Sequence, residues 1–248
     1  MKNRTIKPFN LMNTTDNRNR DAAALDEMVL NEIQEMLSKK ESILADESLS
    51  EEAHITEVDK LYQKAESYLL TKSGNKGKYV RLMLDHASFL EGEEAYRAAE
   101  QVYLSLIDFQ KKNSGEETEG TAFLYHLLSG VYEKMEDIPS ALEWNLKTLA
   151  IREKLLGPLH EDTASACLDV GSLYMVLEEK AKAREYLQKA KEGFLASKGP
   201  DSESVEVVQD YLDMLDDNQE DTPAEDQSQE DNTPKKKSFW QKLFGIEN

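Results

Sequence analysis

Among the residue types that could serve as nucleophile, base or metal ligand, cysteine and histidine are the rarest in this 248-residue chain. The one cysteine, Cys167, falls on an apolar stripe, which is typical of a buried thiol that acts as a small hydrophobe. The four histidines are His54, His86, His126 and His160, and none shows the spacing of a metal site. No glycine-rich phosphate loop, GxSxG or HExxH pattern occurs. The sequence therefore favours a protein that is not an enzyme and needs no cofactor or metal ion.

Charge and composition argue against several other classes of protein. The formal net charge is −19 at pH 7, and a surface this acidic repels phosphate backbones, which argues against nucleic-acid binding. A single cysteine excludes an internal disulfide. Residues 1–20 are basic, lack the apolar core of a secretory signal, and are expected to be a disordered arm. Because no stretch is long and apolar enough to span a membrane, the expected location is the cytoplasm, with peripheral membrane contact left open.

A 42-residue period organises the middle of the chain. Small, aromatic and turn-forming residues recur after 42 positions: Ala87, Ser129 and Gly171; Ala99, Ala141 and Ala183; Tyr132 and Tyr174; Gly115, Gly157 and Gly199; Pro158 and Pro200. So many matches in one register indicate repeated structural units. We place three units at residues 79–120, 121–162 and 163–204.

Each unit is predicted to hold two helices. In the third unit, apolar residues recur at steps of three and four on both sides of a short turn, which is the spacing of two amphipathic helices. Small residues at fixed positions let such helices approach closely. Glycine followed by proline ends the longer second helix, and Asp162 and Ser204 are predicted to cap the next helices. The fold class is thus all-α, a solenoid of helix-turn-helix repeats with disordered termini.

Further helices flank the three units. Residues 21–78 are predicted to form N-terminal helices that are either a cap or a degenerate repeat. Residues 205–215 are predicted to form a C-terminal capping helix, because acidic residues surround its apolar stripe.

The second and third units share a run of residues with a known family: Ala141, Leu142, Ile151, Glu153, Leu156, Gly157, His160, Thr163 and Ala164. This run resembles the tetratricopeptide repeats (TPR) of the long, kinesin-light-chain-like kind, and the likeness is most specific over residues 121–204. The resemblance implies a right-handed superhelix whose first helices line a concave groove for a partner peptide or helix.

By this resemblance, the groove positions can be named: Arg81, Leu84, Ser88, Glu91, Phe123, His126, Gly130, Glu133, Ser165, Leu168, Ser172 and Met175. Packing between neighbouring helices is the alternative role of Phe123, Leu168 and Met175. The paired asparagines of kinesin light chains and the lysine–asparagine clamp of chaperone-binding members are missing. The ligands of those proteins are therefore not expected here.

The C-terminal part changes composition twice. Residues 216–234 are rich in acids and contain no basic residue, so an unfolded linker is expected. Residues 235–248 then combine basic and aromatic side chains on a predicted amphipathic segment. Its candidate docking residues are Lys235, Lys236, Lys237, Phe239, Trp240, Lys242, Leu243 and Phe244.

Several roles for this tail stay open. It could dock on a second protein, contact a membrane surface, fold back into the groove, or have no role. The leading hypothesis for the whole chain is an adaptor that binds protein in its groove and docks through its tail. The alternative is a membrane-associated scaffold tethered by the tail, and an enzyme or regulatory sensor is the remote alternative.

The small residues generate a stability prediction. Replacing Ala141 or Ala183 with leucine should overpack the helix pair and lower the free energy of unfolding by about 1–3 kcal/mol. Thermal unfolding of Ala141→Leu and Ala183→Leu checks this. An unchanged midpoint would mean that the repeat register is wrong.

Overall fold

The structure is a computed structural model that describes residues 27–72 and 75–217. The predicted arm (1–20), most of the acidic linker and the whole tail (235–248) lie outside these residues. The described helices follow in order: α1 (residues 27–37), α2 (Lys39–Leu44), α3 (Glu51–Lys72), α4 (Lys76–Gly92), α5 (Tyr96–Ser114), α6 (Glu119–Lys134), α7 (Ile138–Leu156), α8 (Glu161–Val176), α9 (Lys180–Lys198) and α10 (Glu203–Asp217).

From α2 to α9, each helix packs against the next one in the chain. The helices α4 and α5, α6 and α7, and α8 and α9 are joined by three-residue turns, which is typical of neighbouring antiparallel helices. Within the described ranges the regular secondary structure is entirely helical. The predicted fold class, an all-α solenoid of helix-turn-helix repeats, is therefore confirmed.

The backbone repeats its unusual conformations every 42 residues. Glu94, Glu136 and Glu178 each turn the chain within a pair at a φ of 56–59°. This left-handed conformation is uncommon for residues other than glycine. Gly115, Gly157 and Gly199 follow the second helices at φ values of 104°, 87° and 86°, where glycine avoids the steric cost of a Cβ atom.

The helix caps differ from the predicted ones. The imidazole of His160 accepts a hydrogen bond from the Asp162 N–H at 3.2 Å, so His160 is the N-cap of α8. Asp162 lies inside the first turn, because the helix already begins at Glu161. Likewise α10 begins at Glu203, so Ser204 is not its cap either.

Small residues form the closest contacts within the helix pairs. In the third pair, a Cβ atom added to Gly171 would lie 2.9 Å from Leu187 Cγ and 3.3 Å from its backbone nitrogen. In the second pair, the buried Ser129 hydroxyl donates a hydrogen bond to the Ala141 carbonyl at 2.8 Å. These contacts explain why small residues recur at the equivalent positions 129 and 171.

Tyr62 connects the N-terminal helices α2, α3 and α4. Its ring stacks on His86 with the centroids 4.5 Å apart, and its hydroxyl donates to the Asp85 carboxylate at 2.6 Å. The Lys40 ammonium donates to the same hydroxyl at 3.2 Å and lies 4.3 Å from the centre of the Phe89 ring.

Among the described residues, no helix is long and apolar enough to cross a membrane.

The contact at Gly171 generates a paired prediction. Gly171→Ala should lower the free energy of unfolding by about 1–3 kcal/mol, because the added methyl meets Leu187 side chain and backbone. Gly130→Ala is the matched control, since a Cβ there meets nothing within 4 Å. It should raise stability by up to about 1 kcal/mol through helix propensity. Denaturant unfolding of both variants measures these changes. Equal changes in the free energy of unfolding would contradict a close approach of the helices at Gly171.

Candidate binding groove

The first helix of each pair presents equivalent residues 42 positions apart. One such row contains Arg81 on α4, Phe123 on α6, Ser165 on α8 and Val207 on α10. The helix α10 begins at Glu203, 42 residues after the start of α8, so it continues the series as a fourth first helix. The acidic surroundings of this segment predicted only a cap, so its continuation of this row was not predicted from the sequence.

The predicted groove residues differ in exposure. Phe123 is 43% exposed, whereas Met175 is 8% exposed and belongs to the buried core. Glu91 is held by the Tyr103 hydroxyl, which donates to its carboxylate at 2.6 Å. The others are distributed as follows: Arg81 and Ser88 are exposed, and Leu84, His126, Gly130, Glu133, Ser165, Leu168 and Ser172 are half-buried.

An open cavity of about 400 Å³ brings three of the predicted residues together. Apolar and charged side chains share its lining: His126, Arg152, Ser165, Leu168, Asp169, Phe194, Glu203, Ser204 and Val207. Three successive first helices, α6, α8 and α10, contribute to this lining, as do the second helices α7 and α9. A concave site with an apolar wall and a few convergent polar groups is the usual form of a recognition pocket.

Arg152 places a fixed positive charge beside this cavity. It is 8% exposed, its Nε lies 3.1 Å from a Glu119 oxygen, and its Nη1 donates to the Asp162 carbonyl at 3.3 Å. Sequence reasoning missed Arg152 because it lies on a second helix, whereas the resemblance placed the groove on first helices. The sequence does contain a sign of it, because a charged residue stands at Arg152 where the next repeat has the apolar Phe194.

His126 on α6 and Asp169 on α8 lie close together in the lining of this cavity. His126 Nδ1 lies 3.3 Å from Asp169 Oδ2. The atoms are close enough for an ion pair, although the ring N–H is not aligned for a hydrogen bond. Contact with the Asp169 carboxylate raises the pKa of His126, against the opposing effects of burial and the Arg152 charge. The Asn145 amide also reaches the ring and favours its protonated form.

Glu133 lies next to this pair on α6. Burial raises the pKa of its carboxyl group, and the negative charge of Asp169 raises it further. The Ser129 hydroxyl is 3.5 Å from a Glu133 oxygen, which is the long limit of a hydrogen bond. Glu133 is therefore a partly desolvated acid, and the positive charges of His126 and Lys134 offset this effect only in part.

Neither metal chemistry nor thiol chemistry is supported by the described residues. Within residues 27–72 and 75–217, no group of three His, Cys, Asp or Glu side chains is arranged to hold a metal ion. Burial raises the pKa of the Cys167 thiol to about 12, so it stays protonated at neutral pH. A thiol is a far weaker nucleophile than a thiolate, which agrees with a packing role for Cys167.

Comparison with known proteins identifies the repeats. Residues 124–196 match the family model of the tetratricopeptide repeat. A search of the curated proteins found no match. Among solved structures, BtubC (BKLC) from P. vanneervenii is similar at 12% identity with a TM-score of 0.50, over 91% of this chain and 98% of that chain.

A second similar structure is from Podosopora anserina, a protein named as a kinesin light chain with nearly identical TPR-like repeats. It aligns at 12% identity with a TM-score of 0.53, over 80% of this chain and 98% of that chain. A variant of that protein aligns at 15% identity with a TM-score of 0.56, over 76% and 89%. At these identities the likeness concerns the fold.

Residues 124–196 thus match tetratricopeptide repeats, and the fold of the described helices is similar to that of kinesin-light-chain-like repeat proteins. Repeats of this type are protein-interaction scaffolds in general. The predicted docking residues of the tail, from Lys235 to Phe244, fall outside the described residues.

The pair of His126 and Asp169 generates a pH prediction. Asp169→Asn should lower the pKa of His126, because it removes the carboxylate that favours the imidazolium. A raised folded pKa adds stability that is fully present below the unfolded value of about 6.5 and is lost as pH rises through the folded value. The variant should therefore lose more stability on the acid side of this window than on the basic side.

NMR titration of the His126 ring and unfolding at both ends of the window test this. Glu143→Gln is the control, because it removes the same charge from an exposed site on α7. A His126 pKa that responds equally to both substitutions, or to neither, would contradict the pairing.

Proposed function

We propose that this protein is a non-enzymatic adaptor that binds an extended peptide or a helix of a partner protein in the groove of α4, α6, α8 and α10. The tetratricopeptide repeats make the chain a protein-interaction scaffold, and the proposal adds where the partner binds. The cavity between α6, α8 and α10 is the observation that carries it. Its lining mixes apolar anchors with charged groups, as peptide recognition requires.

Exposed apolar side chains on the groove row support this location. Phe123 is 43% exposed and Val207 is 38% exposed, and both lie on first helices at equivalent positions. Large apolar side chains on a concave surface lose water contact when a partner covers them, which favours binding. Leu168 and Phe194 extend the same apolar surface into the cavity.

The C-terminal segment supplies the second part of the proposal. Its sequence joins four lysines with Phe239, Trp240 and Phe244, a composition suited to docking on a second protein. The alternative is a scaffold in which the same segment contacts an anionic membrane surface reversibly. In both versions the proposed location is the cytoplasm, peripheral to a membrane in the second.

Affinity capture with a matched pair of variants tests the groove. Phe123→Ala should weaken capture of the groove partner by about 1–3 kcal/mol, because an exposed aromatic anchor is truncated. Leu155→Ala is the control, since Leu155 is 46% exposed on the same helix pair but lies on a second helix. Mass spectrometry of the captured proteins and thermal unfolding of both variants are compared.

A version that ends at Thr233 tests the tail in the same experiment. Loss of one partner with the tail and of another with Phe123→Ala would show two independent binding ends. Identical partner lists for the full and shortened chains would rule out protein docking by the tail. Liposome sedimentation of the two chains then decides on the membrane alternative, and equal pelleting would exclude it.

A further inference from the structure

The surface of the cavity combines apolar side chains with negative charge. Val207 on α10 is 38% exposed in the cavity lining, and the half-buried Leu168 of α8 shares that lining. The exposed side chains of Glu203 and Asp210 lie on the same helix α10, and Asp210 stands at the position equivalent to Leu168. The whole of α10 contains six acidic residues and no basic one. A segment with apolar side chains and positive charge complements this surface.

The positive groups of the lining are already paired with acids. His126 Nδ1 lies 3.3 Å from an Asp169 oxygen, and Arg152 Nε lies 3.1 Å from a Glu119 oxygen. Arg152 is also only 8% exposed, so little of its charge is open to a ligand. The charge that a ligand meets on the α10 side of the cavity is therefore negative.

Residues 235–248 of the same chain carry the complementary groups. Their four lysines and one glutamate give a net charge of +3, so the rest of this chain of −19 has a net charge of −22. The large apolar side chains of the segment recur at the steps of one predicted helix face. They are Phe239, Trp240, Leu243 and Phe244. Apolar area and positive charge are thus joined in one short segment.

The covalent connection lets this segment reach the cavity. Val207 lies ten residues before the last residue of α10, Asp217, which corresponds to about 15 Å of helix. Residues 218–234 join α10 to the segment, and a chain of that length can span up to about 55 Å. A tethered segment meets a surface within its reach at a roughly millimolar effective concentration, so even weak binding fills it.

We propose that residues 235–248 occupy the groove of their own chain. Their aromatic side chains cover Leu168 and Val207, and their lysines pair with the acids of α10. This proposal rests on the peptide-binding function of the groove and adds how that function is regulated, because a partner binds only by displacing the segment. Displacement also frees the segment for docking elsewhere, which couples the two binding ends of the adaptor.

The occupied fraction of the groove sets its apparent affinity for a partner. A segment that fills the groove for about nine-tenths of the time lowers this affinity about tenfold, because only the open fraction binds. Trp240→Ala combined with Phe244→Ala should therefore increase capture of the groove partner by the full chain. This change is opposite in sign to the loss of capture expected for Phe123→Ala.

The fluorescence of Trp240 tests the docking directly in the full chain. The chain has two tryptophans, so Trp144→Phe leaves Trp240 as the single indole emitter. Its emission should lie at a shorter wavelength than that of a free peptide of residues 235–248, because docking shields the indole from water.

A matched pair of variants in the same Trp144→Phe chain locates the docking site. Val207→Ser should move the emission of Trp240 to that of the free peptide, because it removes exposed apolar surface from the cavity. Leu155→Ser is the control and should leave the emission unchanged, since Leu155 is 46% exposed on the second helix α7. Far-ultraviolet circular dichroism of both variants checks that the helices are intact.

Several results would overturn the proposal. Emission of Trp240 equal to that of the free peptide would exclude docking, and a shift that survives Val207→Ser would place it elsewhere. A shift that disappears on dilution would mean that the segment docks on a second copy rather than on its own chain. Capture of the groove partner that is equal with and without Trp240 and Phe244 would overturn the regulation and leave the groove function intact. A shielded Trp240 without any captured groove partner would contradict the proposed function alone.

Discussion

The structure depends on the close approach of two helices at residues that have almost no side chain. At Gly171 there is no room for a Cβ atom beside Leu187, and Ser129 fits at the equivalent place by bonding the Ala141 carbonyl. This approach sets how the first and second helices of a pair cross. The turn glutamates and terminal glycines then repeat the same geometry every 42 residues. The first helices thereby present their side chains in regular rows.

The candidate site arises where this regularity is broken. Asn145 stands where the other repeats have Tyr103 and Leu187, and Arg152 stands where the next repeat has Phe194. Neither substitution is needed for the fold, because the neighbouring repeats use larger or apolar residues at the same positions. Both bring polar groups into partly desolvated surroundings, which lowers stability unless the groups are paired. Such departures from local consistency are expected at functional sites rather than in the scaffold.

The fold was readable from the sequence because helix packing leaves periodic marks, namely small residues, glycine turns and apolar stripes. The site was less readable. His126, Ser165 and Leu168 were predicted groove residues and line the cavity, whereas Arg152 and Asn145 were missed since they lie on second helices. Met175 belongs to the core because its own pair is apolar. A periodic pattern reports the positions that all repeats share, and the residues that distinguish one repeat appear only when the helices are placed together.

Charge affects the binding of a partner both at long range and at short range. The net charge of −19 attracts basic partners over about one Debye length and speeds their encounter, without choosing among them. Selection among basic partners needs a short-range feature, because an ion pair formed at a partly desolvated group is stronger than one on the open surface. The long-range term weakens with added salt, whereas a buried pair is screened much less. The association rate of a basic partner should therefore depend strongly on salt.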